Sequence, residues 1–348
     1  MKNLVKQFMS QSDTPKYVFG INPYTDMTIE FLKKNGVVIK ALVDQLHSME
    51  KYNGIPVVHN IKDLPANSIV LSTVTGGHPI SIHKKIESYG LSSIDFFSFI
   101  KYSDCPFEIS YWETFLDSYN NRYDEYQHIY SLLQDEESRY VFDHVLKFRL
   151  HHDLKYMMSF CDRQDIQYFE PFLNLKKEGE VFGDVGGFDG LTSMAFAERF
   201  PHYDRILFFE PEEQNIEIAT KNMEGLGKID YYAVAAFDKK CKLHFASTGN
   251  TSQVCDEGIE VQADCIDNLG IKKLTYLKMD IEGAESAALT GAQNIIRELH
   301  PRIAISVYHK GADMIDIPNQ ILSYYPNYKI YLRHYTEGTA ETVMYFIP

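Results

Sequence analysis

The chain has 348 residues, 48 acidic against 34 basic side chains and a formal net charge of −14, with 45% hydrophobic and 14% aromatic residues. That length suits about two domains with a core each, and the acidity, without any extended Lys/Arg run, argues against nucleic acid as a partner. Met1–Ser12 lacks the basic and apolar blocks of a secretion signal, and no stretch approaches the ~18 apolar residues of a membrane span. Cys105, Cys161, Cys241, Cys255 and Cys265 form no C-x-x-C spacing, so neither a disulfide framework nor a zinc ribbon is expected, and a reducing cytoplasm is the simplest setting.

Residues 1–105 alternate short strands and helices: Tyr17–Phe19, a helix over Met27–Lys34, Val37–Val43 ending at Asp44, Ile69–Ser72, a helix over Ile80–Tyr89, and Ile94–Phe97. This predicts a small, separate α/β Rossmann-like domain. Gly20 after the first strand and Asp44 after the second nearly make a nucleotide-binding arrangement. However, Gly20-Ile21-Asn22-Pro23-Tyr24-Thr25 lacks the later glycines, and Pro23 has no N–H to offer. The unit is similar to a degenerate nucleotide-sugar-binding domain, in which Gly76-Gly77-His78-Pro79 would face the ligand; a docking or dimerisation unit fits the pattern equally well.

From Tyr111 to Tyr168 apolar and aromatic residues recur at three- and four-residue steps, including Trp112, Phe115, Tyr119, Tyr126, Phe142 and Val145. Residues 106–177 are therefore expected to be a helical connector whose tyrosine stripe is core packing rather than a ligand platform.

Residues 178–348 read as the larger α/β domain. Val181-Phe182-Gly183-Asp184-Val185 is an apolar strand running into Gly186-Gly187-Phe188-Asp189-Gly190 and then a helix. Such a turn brings backbone N–H groups and a helix N-terminus close to an anionic ligand group. Ile206–Phe209 ends at Glu210, a helix covers Asn215–Met223, and Tyr231–Ala236 is a further strand. Lys242–Ala246 and Ile259–Ala263 form an antiparallel excursion, and Leu274–Met279 returns to the core and ends at Asp280. A helix over Ala284–Leu299, a strand Arg302–Tyr308 ending at His309, a helix over Asp316–Tyr324 and strands Lys329–Arg333 and Thr342–Phe346 complete it. Acids at successive strand ends place carboxylates at the crevice where open α/β sheets bind ligands. The last two strands have no helix between them, so the sheet closes with an antiparallel hairpin, unlike a dinucleotide-binding Rossmann sheet and like the seven-stranded sheet of S-adenosylmethionine (SAM) dependent methyltransferases.

Asp184-Val-Gly-Gly-Phe-Asp-Gly190, Phe209-Glu210-Pro211, Leu277-Lys-Met-Asp-Ile-Glu-Gly-Ala-Glu285 and Ser306-Val-Tyr-His-Lys310, with Asp135-Glu-Glu-Ser138 and Gln167-Tyr168-Phe169 upstream, resemble the motifs of FkbM-type methyltransferases. Gly187 departs from the family pattern, which often has a different small residue followed by Asn. The resemblance implies an enzyme that O-methylates a saccharide or sugar-bearing precursor in surface-polysaccharide or natural-product synthesis, with a saccharide or nucleotide-sugar-type acceptor.

SAM needs donors for its carboxylate, an acid for its ammonium and another for its ribose diol. Asp184 with Gly186, Gly187 and Gly190 suits the first two, and Glu210, beside Pro211, suits the third. Asp267 is a weaker ligand candidate, and Asp189 is expected to cap the helix. Transfer to a hydroxyl requires alignment and proton removal. The candidates are Asp280, expected first, then His309, whose ordinary pKa of ~6.5 suits a base, and Glu282. Glu282 and Glu285 are also ordinary first-turn helix acids, the preferred account of Glu285, and His334 is a spare histidine. Asp280, Glu282 and His309 are compatible with a divalent cation, though no ligand spacing demands one. A nicotinamide-dependent oxidoreductase and a non-catalytic SAM-fold binding module are the alternatives.

Overall fold

The computed structural model describes residues 1–110, 112–247, 252–255 and 258–348, so Tyr111, the expected first residue of the helical zone, lies outside the described residues. The chain forms two compact units, Met1–Ser110 with Asp143–Gln164 and Tyr335–Ala340, and Tyr111–Phe142 with Asp165–His334 and Glu341–Pro348. Segment 106–177 contributes to both. Among the described residues no helix is long and apolar enough to cross a membrane.

The first unit contains α1 (Lys2–Met9), β1 (Lys16–Phe19), α2 (Pro23–Lys34), β2 (Ala41–Val43), β3 (Lys51–Tyr52), β4 (Ile55–Val58), β5 (Ile69–Ser72), α3 (Pro79–Ser88), β6 (Ser92–Ile94) and α4 (Phe96–Tyr102). Its sheet runs β3-β4-β2-β1-β5-β6, parallel except for the β3–β4 pair. The uninterrupted burial of β1, β2 and β5 is that of strands covered on both faces. Phe96 and Phe97, expected at a strand end, instead start α4, because the Asp95 carboxylate accepts the Ser98 N–H at 2.8 Å and caps the helix.

The turns expected to meet a ligand in this unit are satisfied internally. The Asn22 side chain accepts the Tyr24 and Thr25 N–H groups at 2.9 and 3.3 Å, the first donors of α2. Asp44 accepts those of Leu46 and His47 at 2.9 and 2.7 Å. Gly76-Gly77 is covered by the unit's own late segment. The Glu337 N–H donates to the Gly77 carbonyl at 2.8 Å and the Thr339 N–H to that of Thr75 at 3.1 Å. The Glu337 carboxylate takes the Ser81 N–H at 2.7 Å at the start of α3, so the chain supplies its own anion where a ligand's would lie.

The second unit begins with α5 (Phe115–Asn121), α6 (Tyr123–Leu132) and the start of α7 (Glu136–His151), which ends in the first unit. Tyr126 is fully buried between Phe115 and Phe142, whereas Tyr123 and Tyr130 of the same stripe are exposed, so only part of the stripe is core packing. Then come β7 (Val181–Val185), α8 (Leu191–Arg199), β8 (Arg205–Phe209), α9 (Glu213–Asn222), β9 (Ile229–Tyr232), β10 (Ala235–Ala236), β11 (Cys241–Ser247), β12 (Ser252–Cys255), β13 (Ile259–Asp264), β14 (Tyr276–Met279), α10 (Glu285–Gly291), α11 (Gln293–Leu299), β15 (Arg302–Ser306), α12 (Asp313–Tyr324), β16 (Lys329–His334) and β17 (Thr342–Ile347).

Seven of these strands form a sheet in the order β16-β17-β15-β14-β7-β8-β9, with only β17 antiparallel to its neighbours. This is the α/β sheet with a closing hairpin that the sequence implies. From β7 the chain builds outward to β8 and β9, then returns on the other side of β7 to β14 and β15, which makes the β7–β14 boundary the topological switch point. The excursion is a small sheet, β10-β13-β11-β12. The expected strand Tyr231–Ala236 is divided between the two sheets as β9 and β10. The expected helix Ala284–Leu299 breaks near Ala292. There Gly291 lies so close to the Phe237 carbonyl that a Cβ would fall 1.9 Å from its oxygen, and Asp267 accepts the Asn294 and Ile295 N–H groups at 3.0 and 2.9 Å. Asp267 is therefore a helix cap and not a ligand group.

Candidate active site

The turn after β7 is glycine-rich because of what lies behind it. Gly186 has φ +79°, and a Cβ there would fall 2.0 Å from the Asp280 carbonyl oxygen; at Gly187 it would fall 2.1 Å from the Phe208 ring. Both glycines donate their N–H to the Phe209 carbonyl, at 3.1 and 3.0 Å, and Gly190 donates to Gly187 at 2.9 Å. Gly186 and Gly187 thus let β7, β8 and β14 converge, Gly190 packs against Ala219 and Met223, and the N–H groups of all three are engaged inside the protein rather than turned to a ligand as expected. Gly190, with φ +82°, is the residue that caps α8; Asp189 assists by accepting the Leu191 N–H at 3.2 Å.

Asp184 is also placed differently from expectation. It is wholly buried, accepts the Ser193 hydroxyl at 2.7 Å and faces the Lys278 ammonium at 3.1 Å. Lys278 donates to the Gly186 carbonyl at 2.6 Å, so acid, lysine and turn form one brace. Burial alone would lower the Lys278 pKa, but Asp184 and then Asp280 hold it above its ordinary value. Asp184 supports the turn from behind and does not line the cavity.

Glu210 does line it. Its carboxylate accepts the N–H of Phe188 at 3.1 Å and of Glu212 at 3.0 Å, and the Asn215 amide at 3.2 Å. Three of the roughly four acceptor positions of a carboxylate are thereby filled, leaving one. Burial pushes its pKa up, against the pull of those donors. Glu210 and Pro211 share a cavity of ≈ 250 Å³ with Asp280, Glu282, Tyr308 and Glu341, and Phe188, Ala235, Phe237, Leu243 and Ile281 supply apolar wall between. The cavity therefore offers a carboxylate with one acceptor position left, an apolar wall and a group of further acids.

At the far end lies a cluster around His309, whose side chain is 0% exposed. Its Nδ1 is 2.8 Å from buried Glu285, while Nε2 faces Glu282 at 3.4 Å and Asp280 at 3.6 Å. Burial would lower the histidine's pKa, but Glu285, Asp280 and Glu282 together raise it to about 10. At neutral pH His309 is an imidazolium, not the base with an ordinary pKa that the sequence suggested. Asp280, which burial alone would push up, is held below its ordinary value by His309 and Lys278 and accepts the Tyr168 hydroxyl at 2.9 Å. Glu285, expected to be a plain helix acid, is instead the main partner of His309 and also accepts the Ile281 N–H at 3.0 Å. Asp280, Glu285 and His309 each offer a ligand atom within 4.8 Å of the others, so a cation set here would contain Glu285 and not Glu282. His334 is buried against Thr342, at 2.9 Å, and does not line the cavity.

A further set of residues was given no role from the sequence. The Gln167 amide donates to Glu341 and, at 3.1 Å, to the Tyr168 oxygen, so this dipeptide links the carboxylates of Glu341 and Asp280. Hydroxyls of Tyr276 and Tyr345 hold its two carbonyls. Tyr308 donates to Glu341 at 3.4 Å. Burial, then the charge of Asp280, pushes the Glu341 carboxyl up to about 7. Glu282 and Glu341 both have left-handed backbones, with φ +54° and +69°, a conformation that non-glycine residues adopt only where the surroundings enforce it.

Residues 184–329 match the family model described as the methyltransferase FkbM domain, and this match supports a methyltransferase. Among solved structures, methyltransferase FkbM from Methylobacillus flagellatus is similar over 99% of this chain and 92% of its own, with 22% identity and a TM-score of 0.76, a likeness of fold. Aeropyrum pernix fibrillarin, in complex with S-adenosyl-L-methionine, shares 9% identity over 50% of this chain and 69% of its own, with a TM-score of 0.35, too low to carry an argument. No curated protein sequence matches the chain.

Proposed function

We propose that the chain is a SAM-dependent O-methyltransferase acting on a hydroxyl of a saccharide or sugar-bearing precursor. The observation that carries this is the single cavity joining Glu210, beside the glycine turn, to the carboxylates of Asp280, Glu282 and Glu341. SAM supplies an electrophilic methyl group on a sulfonium. Glu210 would take a ribose hydroxyl with its remaining acceptor position. Asp184, through Lys278, would hold the turn in place. Asp280, ionised and fixed by Tyr168, would orient the acceptor hydroxyl, and the imidazolium of His309 would keep Asp280 ionised and hold Glu282 in place. The match to the methyltransferase FkbM domain supports the reaction class; the density of acids and tyrosine hydroxyls at the far end supports a polyhydroxylated acceptor. Thermal-shift measurements with SAM, S-adenosylhomocysteine (SAH) and NAD test the cofactor: SAM and SAH should stabilise the protein and NAD should not. Incubation with a panel of hexose and deoxyhexose glycosides, followed by SAH release, tests the acceptor class. Stabilisation by NAD alone would overturn the reading.

A further inference from the structure

The groups expected to remove the acceptor proton are poorly suited to it. His309 is already protonated and has no exposed side-chain surface. Asp280 is held low by two cations and is a weak base. Glu282 faces the imidazolium at 3.4 Å.

On the basis of the O-methyltransferase reading, we propose that Glu341, at the entry to β17, is the catalytic residue that takes the proton of the acceptor hydroxyl. Glu341 lines the same cavity as Asp280. It is half-buried, so a substrate can reach it. Its left-handed backbone, φ +69°, costs conformational energy that a mere hairpin residue would avoid by being glycine. The Gln167 amide and the Tyr308 hydroxyl fix the carboxylate, and Gln167 ties it through Tyr168 to Asp280. Asp280 would then hold the hydroxyl and Glu341 receive its proton. The charged and titratable groups facing Glu341 are Asp280, Glu282, His309, Tyr168 and Tyr308. Burial and the charge of Asp280 leave the carboxyl half-protonated near neutral pH, as suits a general base. As the acceptor oxygen forms its bond to the methyl carbon, the electron pair of the broken carbon–sulfur bond stays on sulfur and the hydroxyl proton passes to Glu341, leaving an ether, neutral SAH sulfur and a carboxylic acid.

A sulfonium arriving beside a half-protonated carboxyl expels its proton, which can be measured without any acceptor. Calorimetric titration of the full chain with SAM and with SAH at pH 7, in two buffers of different ionisation enthalpy, counts the protons released. SAH carries the same amino acid and nucleoside without the charge and cancels their contribution. We expect SAM to release more protons than SAH, by up to about half a proton, and Glu341→Gln to abolish the difference while still binding SAM. Gln167→Leu is the second variant. It removes a donor that holds the Glu341 carboxyl down and should move the difference to higher pH. Equal release with SAM and SAH, a difference that survives Glu341→Gln, or an unmoved pH dependence in Gln167→Leu, each with SAM still bound, would overturn the role of Glu341 and leave the cofactor reading intact. Failure of the wild-type chain to bind SAM would overturn both.

Discussion

Replacing Glu285 by Gln removes the charge 2.8 Å from His309 Nδ1 while leaving a group of nearly the same shape. The rise of the histidine from its ordinary 6.5 to about 10, at about 1.4 kcal/mol per pH unit, corresponds to ~5 kcal/mol of preference for the imidazolium over the neutral ring. That preference is shared among three carboxylates, of which Glu285 contributes most. Because the folded-state pKa is raised, the contribution to stability is fully present below pH 6.5 and is lost as pH climbs to about 10. Glu285→Gln should lower the unfolding free energy at pH 7 by about 3 kcal/mol, the scale of breaking a buried ion pair from one side. The gap from wild type should narrow as pH approaches 10. Urea denaturation of both proteins at pH 6, 8 and 10, with NMR titration of the imidazole C–H protons, measures both effects. A wild-type His309 titrating near 6.5, or a stability gap constant across that range, would refute the reasoning and restore His309 as a candidate base.

Gly186→Ala places a Cβ 2.0 Å from the Asp280 carbonyl at a positive φ; the left-handed backbone alone costs ~1–2 kcal/mol, and a large loss of SAM affinity and a lower melting temperature should follow. Lys278→Met leaves the carboxylate of Asp184 buried without its ammonium and should destabilise the fold by about 3–5 kcal/mol in urea denaturation, whereas replacing both, Asp184→Leu with Lys278→Met, should recover much of that loss. Glu341→Gln should lower turnover on a saccharide acceptor by about 10²- to 10⁴-fold and remove the limb of the pH–rate profile that rises through about 7.

The features most legible in the sequence are those set by local pattern: buried apolar strands ending in Asp184, Glu210 and Asp280, a glycine turn, and a final hairpin without a helix between its strands. Residue functions that depend on register were not legible. Lys278 lies directly across from Asp184 because β7 and β14 pair in that register, and nothing local to either strand says so; without Lys278, Asp184 reads as a free acid at the crevice. The same holds for Gly186 and Gly187, whose need for a missing Cβ comes from Asp280 and Phe208, distant in the chain. His309 looked like a base because its type has a near-neutral pKa, and only the three carboxylates gathered around it reverse that. Glu341 was hidden by its place in a hairpin turn, where a polar residue passes for solvent-facing. Its positive φ, absent from the sequence pattern, distinguishes it. Phe96 and Phe97 show the opposite error, in which an apolar pair was read as strand although Asp95 ahead of it is a ready helix cap.

The central claim, that SAM binds in the cavity beside the glycine turn with Glu210 as a direct partner, is tested most directly by calorimetric titration of SAM into the wild-type chain and Glu210→Ala. The account predicts binding by the wild type and a loss of about 1–3 kcal/mol in the variant, with circular dichroism unchanged. Absence of wild-type binding, or equal affinity in the two proteins, would contradict it.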